Sequence, residues 1–424
     1  MIIPKTTRKD VFFKHKLFKN IMIFTLSTVL NKGLNFFILP VLTYHLTKSD
    51  YGVLGFVMSV VTITSIYVGL WPTHFIMAKF HKLEKDTLAR YISNIYILVF
   101  VTFFIVFSLL LSTKDILFTN LHEPIMMITT IMFYTLFTVF SNILYAIIQL
   151  EKNALKYAYI QALYSLLSIG LALFLIIKLN KGWEGKIYAE LTMLSVISLY
   201  SFYYLFSKNY FLPNFSIKKL KTLFNYLFPM TFYVIGVFLL VTVDKVILAK
   251  YTTIEAVGIY TIAMTMSILL NIIFESIMNA WSPYIYEKLS TQSHHDKVFL
   301  KKTLLGYSAF VILVVGVYIL IVPYLFEFMI DKKFHSSLNY TTLLILGFGF
   351  EGLRKPLTVF LMHKNQVKEL AYISIFVALL NITLNIILIQ RYNIYGATVA
   401  TLTAFVFQYI LTAIIVKKRC TFYK

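Results

Sequence analysis

The sequence predicts an all-α polytopic membrane protein, with about 12 transmembrane helices in two parallel six-helix repeats around a central cavity. Three observations predict it. Hydrophobic residues make up 59% of the 424-residue chain and charged residues only 13%, about half the charged share of soluble domains. Apolar runs of about 20 residues recur from end to end, long enough to cross a bilayer as helices. Period-2 alternation is absent, which excludes a transmembrane barrel. The third observation is internal repetition. Lys152-Asn153-Ala154-Leu155-Lys156 matches Lys364-Asn365-Gln366-Val367-Lys368, an offset of 364 − 152 = 212. Gly185-Lys186-Ile187-Tyr188-Ala189-Glu190-Leu191 matches Gly396-Ala397-Thr398-Val399-Ala400-Thr401-Leu402 at 396 − 185 = 211. Ser49-Asp50-Tyr51-Gly52-Val53 precedes Glu255-Ala256-Val257-Gly258-Ile259 by 255 − 49 = 206. Each match is weak alone, but three in the same order at nearly one offset mark a duplication.

The first six spans are read at 19–42, 52–78, 91–112, 124–149, 157–178 and 186–206. The second six are read at 223–249, 256–284, 303–326, 337–361, 368–390 and 395–416. An even number per half brings both halves in from the same side, so the repeat is parallel about an axis along the membrane normal. The domains are therefore an N-terminal bundle over 1–206, a linker over 207–222 and a C-terminal bundle over 223–424. The linker carries Pro213 and the lysines Lys208, Lys218, Lys219 and Lys221.

Basic residues set the orientation. Lys+Arg number 39 and Asp+Glu 18, a formal charge of +21. Such a surplus in a soluble protein would indicate nucleic acid, but here it flanks apolar runs. Lys32 is mid-span. Ten residues fall on one side: Lys48, Lys114, Lys178, Lys181, Lys186, Lys245, Lys250, Lys332, Lys333 and Arg391. The remaining 28 of the 39 fall on the other, which puts both termini and the linker in the cytoplasm. The surplus also suits anionic lipid heads or an anionic ligand. No cleavable signal peptide is evident, and the one cysteine, Cys420, leaves no internal disulfide.

The loops are too short for a soluble catalytic domain, so the chain does not read as an enzyme. It has no Walker loop, no Gly-x-Ser-x-Gly elbow and no sign of a cofactor. His294-His295 lacks metal-ligand companions, so no metal site is expected.

Ionisable groups within spans are costly and usually face a cavity or a partner. Lys32 lies between Asn31 and Gly33, with Asn35 one turn from Asn31. Two readings stand: a cavity lysine that meets phosphate, or a lysine paired to a carboxylate for packing. Glu275 is deep in the eighth span, with Asn271 and Asn279 at i−4 and i+4. It reads as a cavity-facing acid able to carry a coupling cation, or as the permanent partner of a lysine such as Lys32. Glu351 has Arg354 and Lys355 at i+3 and i+4, a set that can neutralise itself. Asp244-Lys245 sits toward the outer end of the seventh span, where a snorkelling lysine and an interfacial aspartate are the alternative to a site. Glu190, near the start of the sixth span, reads as interfacial.

These residues resemble a known family. Phe37-Ile38-Leu39-Pro40-Val41-Leu42-Thr43 followed by Leu46-Thr47-Lys48-Ser49-Asp50-Tyr51-Gly52 is similar to the opening of polysaccharide-biosynthesis flippases of the Wzx type. These belong to the multidrug/oligosaccharidyl-lipid/polysaccharide exporter superfamily. Asp244-Lys245, Val257-Gly258-Ile259-Tyr260, Trp281-Ser282-Pro283 and Tyr395-Gly396-Ala397 look like the later counterparts. The resemblance covers nearly the whole chain. It implies paired six-helix bundles, a cationic cavity and alternating access in a bacterial inner membrane. The implied substrate is an undecaprenyl-pyrophosphate-linked repeat unit, such as an O-antigen unit, moved from the cytoplasmic to the outer leaflet. Members with a basic residue closing the second span match Lys79 here. Lys32, Asn31, Asn35, Lys79 and Lys245 are the expected substrate contacts. Glu275, then Glu351, then Asp244 are the expected sites for a coupling H+ or Na+. Lipid II flippases carry two further spans that this chain lacks. A cation-coupled multidrug or small-metabolite antiporter of the same fold is the alternative.

Overall fold

In a computed structural model, the described residues are 33–419 apart from positions 35, 81, 118–122, 292–293 and 365. Among them are thirteen α-helices and no strand. In chain order these are α1 Leu39–His45, α2 Lys48–Tyr67, α3 Thr73–Lys79, α4 Lys85–Ser112, α5 Lys114–Leu117 and α6 Pro124–Leu150. They continue with α7 Ala154–Leu173, α8 Gly182–Ser207, α9 Ile217–Tyr251, α10 Ile254–Thr291, α11 His294–Met329, α12 Leu338–His363 and α13 Val367–Arg419. Eight stretches are long and apolar enough to cross a membrane, and the chain is a membrane protein. One of the eight, Lys368–Lys418, turns back at Asn393 (φ 49°, ψ −128°), the break expected between the last two spans. Helices α9 and α12, of 35 and 26 residues, are also long enough; α12 holds the charges Glu351, Arg354 and Lys355. The first expected span lies mostly outside the described residues.

Sequence chemistry fixes the helix ends. Thr47 and Asp50 form a reciprocal capping box at the start of α2. The Thr47 amide donates to Asp50 Oδ2 at 2.8 Å and the Asp50 amide to Thr47 Oγ1 at 3.0 Å. Thr253, at 253 − 47 = 206, caps α10 by accepting from the Ala256 amide at 3.2 Å. Asn153 caps α7 and accepts from the Lys156 amide at 3.1 Å. The second expected span, read as continuous over 52–78, is broken. Gly69, Leu70 and Trp71 have φ of 77°, 55° and 59°, and Pro72 precedes α3. Proline cannot supply an amide to a continuing helix. The amide of Gly69, left without a helical acceptor, donates to Thr102 Oγ1 at 2.8 Å.

The compact units do not follow the sequence halves. One comprises Tyr67–Ser108 and Met132–Phe228 with the residues up to Leu39. The other comprises Pro40–Ile66, Leu109–Ile131 and Pro229–Lys424. In the first unit, Tyr96 lies 4.8 Å from Phe140 and 4.7 Å from Phe202, ring centre to ring centre. Ser198 and Ser201 donate to the Phe137 and Phe140 carbonyls at 3.0 and 3.2 Å, small residues that let α8 approach α6 closely. The linker is fastened to this unit by buried Asn94. Its Nδ2 donates to the Arg90 and Asn214 carbonyls, both at 2.7 Å, and its Oδ1 accepts the Ser216 amide at 3.1 Å. In the second unit α10, α12 and α13 form the core, and buried Ser267 of α10 donates to the Thr341 carbonyl of α12 at 3.3 Å.

Candidate functional site

Asp244 is 0% exposed. Its place toward the outer end of its helix leaves an interfacial group or a coupling site open; the structure removes the interfacial reading, because the residue is enclosed by α9, α10 and α13. Tyr260, also 0% exposed, donates its hydroxyl to Asp244 Oδ2. Thr401 Oγ1 donates to the same oxygen at 3.4 Å and lies 3.2 Å from the Tyr260 hydroxyl. The Lys245 amide donates to Oδ1 at 2.9 Å. A carboxylate removed from water is tolerated only with such donors around it. The Lys245 side chain is half-buried, and its ammonium charge also acts on the Asp244 carboxylate.

One helical turn away, Leu240 packs with Val377, Ala378 and Ala404. Asp244 is four residues after Leu240, Asn381 four after Val377, and Thr401 three before Ala404. The two limbs of α13 run in opposite directions about Asn393, so these steps reach one layer on the three segments. Asn381 and Asn385 are both 0% exposed. Asn385 Nδ2 donates to the Asn381 carbonyl at 3.0 Å and to Asn381 Oδ1 at 3.1 Å. Asn381 Nδ2 and Asn385 Oδ1 have no partner, which is costly in a buried place. Asp244 and the Tyr260 and Thr401 hydroxyls are hard oxygen donors of the kind that suits a small cation or a proton, and the unused Asn385 amide oxygen lies a further turn along α13.

A second charged set joins α10 to α12. Gly352 is the contact point: a Cβ there would lie 2.5 Å from the Phe274 ring, so only glycine lets that ring rest on α12. The neighbouring residues then meet. Lys355 Nζ is 3.0 Å from Glu275 Oε2. The sequence reading gave both Arg354 and Lys355 to Glu351, but the structure separates them. Arg354 grips Glu351 with two parallel bonds, Nε to Oε2 at 2.6 Å and Nη2 to Oε1 at 2.7 Å, and donates to Thr358 Oγ1 at 3.0 Å. Lys355 goes to the other helix. Glu275 is 51% exposed at its side chain and lies in the last turn of the apolar span Ile254–Met278, nearer its end than the sequence reading sets it. Asn271, one turn earlier, has a buried Oδ1 without a partner. The Asn279 side chain lies outside the described residues.

Lys79 is half-buried in the last turn of α3, in the first unit. Glu190, read as interfacial, is half-buried and paired: Lys186 Nζ lies 2.6 Å from its Oε1 and the Tyr134 hydroxyl donates to Oε2 at 2.7 Å. Where α6 and α8 end, Tyr204 donates to Glu151, and Lys156 Nζ sits 3.9 Å from the Tyr204 ring centre. Burial and then the Glu151 carboxylate push the nearby Tyr210 phenol up to about 12, so it stays a neutral donor. Asn31, Lys32 and Asn35 lie outside the described residues. Sequence reasoning missed Tyr260, Thr401, Asn381 and Asn385. The one available signal was the Asn381/Asn385 pair at i and i+4 in an apolar run. Among the described residues no group of three His, Cys, Asp or Glu is placed to hold a metal ion.

Residues 17–289 match the profile of the polysaccharide biosynthesis protein family. An uncharacterized membrane protein of Haemophilus influenzae is 23% identical over 368 residues, covering 85% of this chain and 87% of that one. The structure is similar to the lipid II flippase MurJ in an inward closed conformation, with a TM-score of 0.74, 16% identity and coverage of 93% and 87%. It is also similar to an inward-facing multidrug resistance MATE family transporter of the MOP superfamily, with a TM-score of 0.69, 16% identity and coverage of 92% and 96%. The fold is the two-repeat fold of these transporters.

Proposed function

The chain belongs to the polysaccharide biosynthesis protein family, and from that premise we propose that it is a lipid-linked oligosaccharide flippase. It moves undecaprenyl-pyrophosphate-linked repeat units from the cytoplasmic to the outer leaflet of a bacterial inner membrane, by alternating access, with both termini in the cytoplasm. The observation that carries the reading is the half-exposed Glu275, paired with Lys355 in the last turn of an apolar span. Such a carboxylate on a lipid-facing surface would be prohibitively unfavourable, so it faces a polar path. A diphosphate head and its sugars need such a path, while the polyprenyl tail can remain in lipid. Lys32, Asn31, Asn35, Lys79 and Lys245 stay the proposed substrate contacts, because ammonium and amide groups replace the hydration of a diphosphate.

Coupling to H+ or Na+ is proposed at Asp244 ahead of Glu275 and Glu351. Those two carboxylates are already tied up in ion pairs with Lys355 and Arg354, whereas Asp244 is hydrogen-bonded by the Tyr260 and Thr401 hydroxyls and the Lys245 amide. Deletion of the gene tests the function: surface glycan should fall while the lipid-linked unit accumulates on the inner leaflet. Normal surface glycan, in a strain without a second flippase, would sink the reading. The likeness to a multidrug transporter keeps a cation-coupled drug or metabolite antiporter as the second reading. Drug hypersensitivity of the deletion strain with unchanged glycan would favour it.

A further inference from the structure

We propose that Lys355 is a diphosphate-binding residue whose site Glu275 covers when no substrate is bound, so that the carboxylate competes with the diphosphate for one ammonium group. The inference rests on the flippase reading for the source of the diphosphate, and on geometry for the site.

The four charges on α10 and α12 divide into two unlike pairs. Glu351 and Arg354 are one turn apart on the same helix, joined by two short parallel bonds, with side chains only 14% and 16% exposed. Arg354 spends a further donor on Thr358. That pair is closed. Glu275 and Lys355 are held by one bond between two helices. The exposures are lopsided: 14% for the Lys355 side chain and 51% for Glu275. The cation is set into the protein and the anion lies over it, toward open space.

Each partner is placed differently. Lys355 lies one turn from Gly352, where the Phe274 ring locks α12 onto α10, and Tyr307 donates to the Gly352 carbonyl at 3.2 Å. Its stem is therefore fixed by packing. Glu275 has a long side chain, and more than half of it is uncovered. A rotation about its side-chain bonds removes the carboxylate without disturbing the backbone. Lys355 would then need another anion, because an ammonium so little exposed and without a counter-charge is strongly disfavoured. The anion that supplies it arrives from the side to which Glu275 is open. A diphosphate offers more charge and more acceptor oxygens than one carboxylate and can displace it.

The sign of the linkage follows. When a diphosphate takes Lys355, the displaced carboxylate stands beside another anion and favours a proton or a cation. Anion binding at Lys355 and cation binding at Glu275 therefore assist each other, and by reciprocity the two effects are equal. That is co-binding. The exchange of cation for anionic head expected of Glu275 as a carrier acid has the opposite sign. On release, return of Glu275 to Lys355 displaces the departing head.

The test is a double-mutant cycle on the purified full chain in detergent, titrated with inorganic pyrophosphate and separately with undecaprenyl diphosphate. Lys355→Gln should weaken binding of both, and Glu275→Gln should tighten binding of both, each by about tenfold, the scale of one charge-assisted hydrogen bond. In Lys355→Gln the further change Glu275→Gln should have no effect, because there is nothing left to uncover. Glu275→Asp keeps the charge with a shorter reach and should fall between wild type and Glu275→Gln, which covers the case of a poorly folded Gln variant. Equal or weaker pyrophosphate binding by both Glu275 variants would overturn the proposal, as would a Glu275→Gln gain that persists without Lys355. If pyrophosphate shows the pattern and undecaprenyl diphosphate does not bind, the anion site stands and the flippase reading falls. If undecaprenyl diphosphate binds all variants equally, the flippase reading stands and the site falls.

Discussion

Gly52 and Gly258, which the sequence pairs at 258 − 52 = 206, meet in space through their backbones. A Cβ on Gly52 would lie 1.8 Å from the Ile254 carbonyl oxygen, and a Cβ on Gly258 would lie 2.0 Å from the Lys48 carbonyl oxygen. Ile254 and Lys48 are themselves 206 apart, so the contact is its own symmetry mate. The repeat axis passes between α2 and α10 at this point. The caps obey the same relation, with Thr47 starting one helix and Thr253 the other. Around the contact, Tyr51 packs edge-on against Phe334 at 5.1 Å and Lys333 Nζ donates to the Tyr44 carbonyl at 2.9 Å. The start of α2 is thus sealed to the C-terminal helices at the ends that the charge bias assigns to the outside.

That seal gives the first prediction. Gly52→Ala or Gly258→Ala drives a methyl into a backbone carbonyl, which cannot yield as a side-chain tip would. The strain should cost about 1–3 kcal/mol in the sealed state. A lowered melting temperature and reduced glycan export at normal abundance are expected from either variant. Gly306→Ala is the control, since a Cβ there meets nothing within 4 Å. Equal behaviour of Gly52→Ala and Gly306→Ala would remove the seal from the account.

Topology is the second prediction. Reporter fusions at Lys85, Lys219 and the C-terminus should read cytoplasmic, and one at Thr119 external. A non-cytoplasmic signal at Lys219 contradicts both the span count and the parallel repeat.

The architecture was readable because hydropathy and repetition act along the chain. The helical membrane fold, the turn near Asn393 and the Gly52/Gly258 relation all register there. The pairings were not readable, because they act across it. No basic residue lies within four positions of Glu275, so a carrier acid and a partner of a distant lysine such as Lys32 stay equally open in the sequence; the partner in the structure, Lys355, is 80 residues away. Asp244 stays open to an interfacial reading from its distance to a helix end. Depth along a helix does not say which face is covered, and Tyr260 and Thr401 cover this one. The break in the second span registers in the sequence as Pro72, but Thr102, which accepts the Gly69 amide beside the break, comes from the next helix and does not.

The third prediction concerns the linker. Asn94 uses both ends of its amide on segment 208–216, so Asn94→Ala leaves the Asn214 carbonyl and the Ser216 amide without their side-chain partner. A loss of about 1–3 kcal/mol is expected from groups so exposed to imbalance. Limited proteolysis should then cut within 208–216, where the parent protein resists. An unchanged cleavage pattern would show that the linker is held by other contacts.

The last prediction separates the two roles open to Asp244. A structural carboxylate tying α9 to α10 and α13 and a cation-binding carboxylate look alike in a single structure. They differ in what a neutral isostere does. Asn at this position keeps an oxygen for the Tyr260 and Thr401 hydroxyls and removes the charge. If Asp244 is structural, Asp244→Asn leaves transport intact or lowers abundance. If it binds the coupling cation, the variant folds, still binds lipid-linked substrate, and loses transport driven by a gradient. Melting temperature reads the cation directly, since a ligand that binds only the folded state stabilises it by RT ln(1 + [L]/Kd), about 2.7 kcal/mol at 100 Kd. Replacing potassium by sodium at constant ionic strength should therefore raise the melting temperature of the wild type and not that of Asp244→Asn. Asn385→Ala, which removes the unused amide oxygen, should shrink the sodium shift without abolishing it. If protons serve instead, sodium has no effect, and the wild type gains stability relative to Asp244→Asn as pH falls. A wild type and an Asp244→Asn variant that respond alike to both sodium and pH would leave Asp244 a packing group, and the coupling site would have to be sought elsewhere.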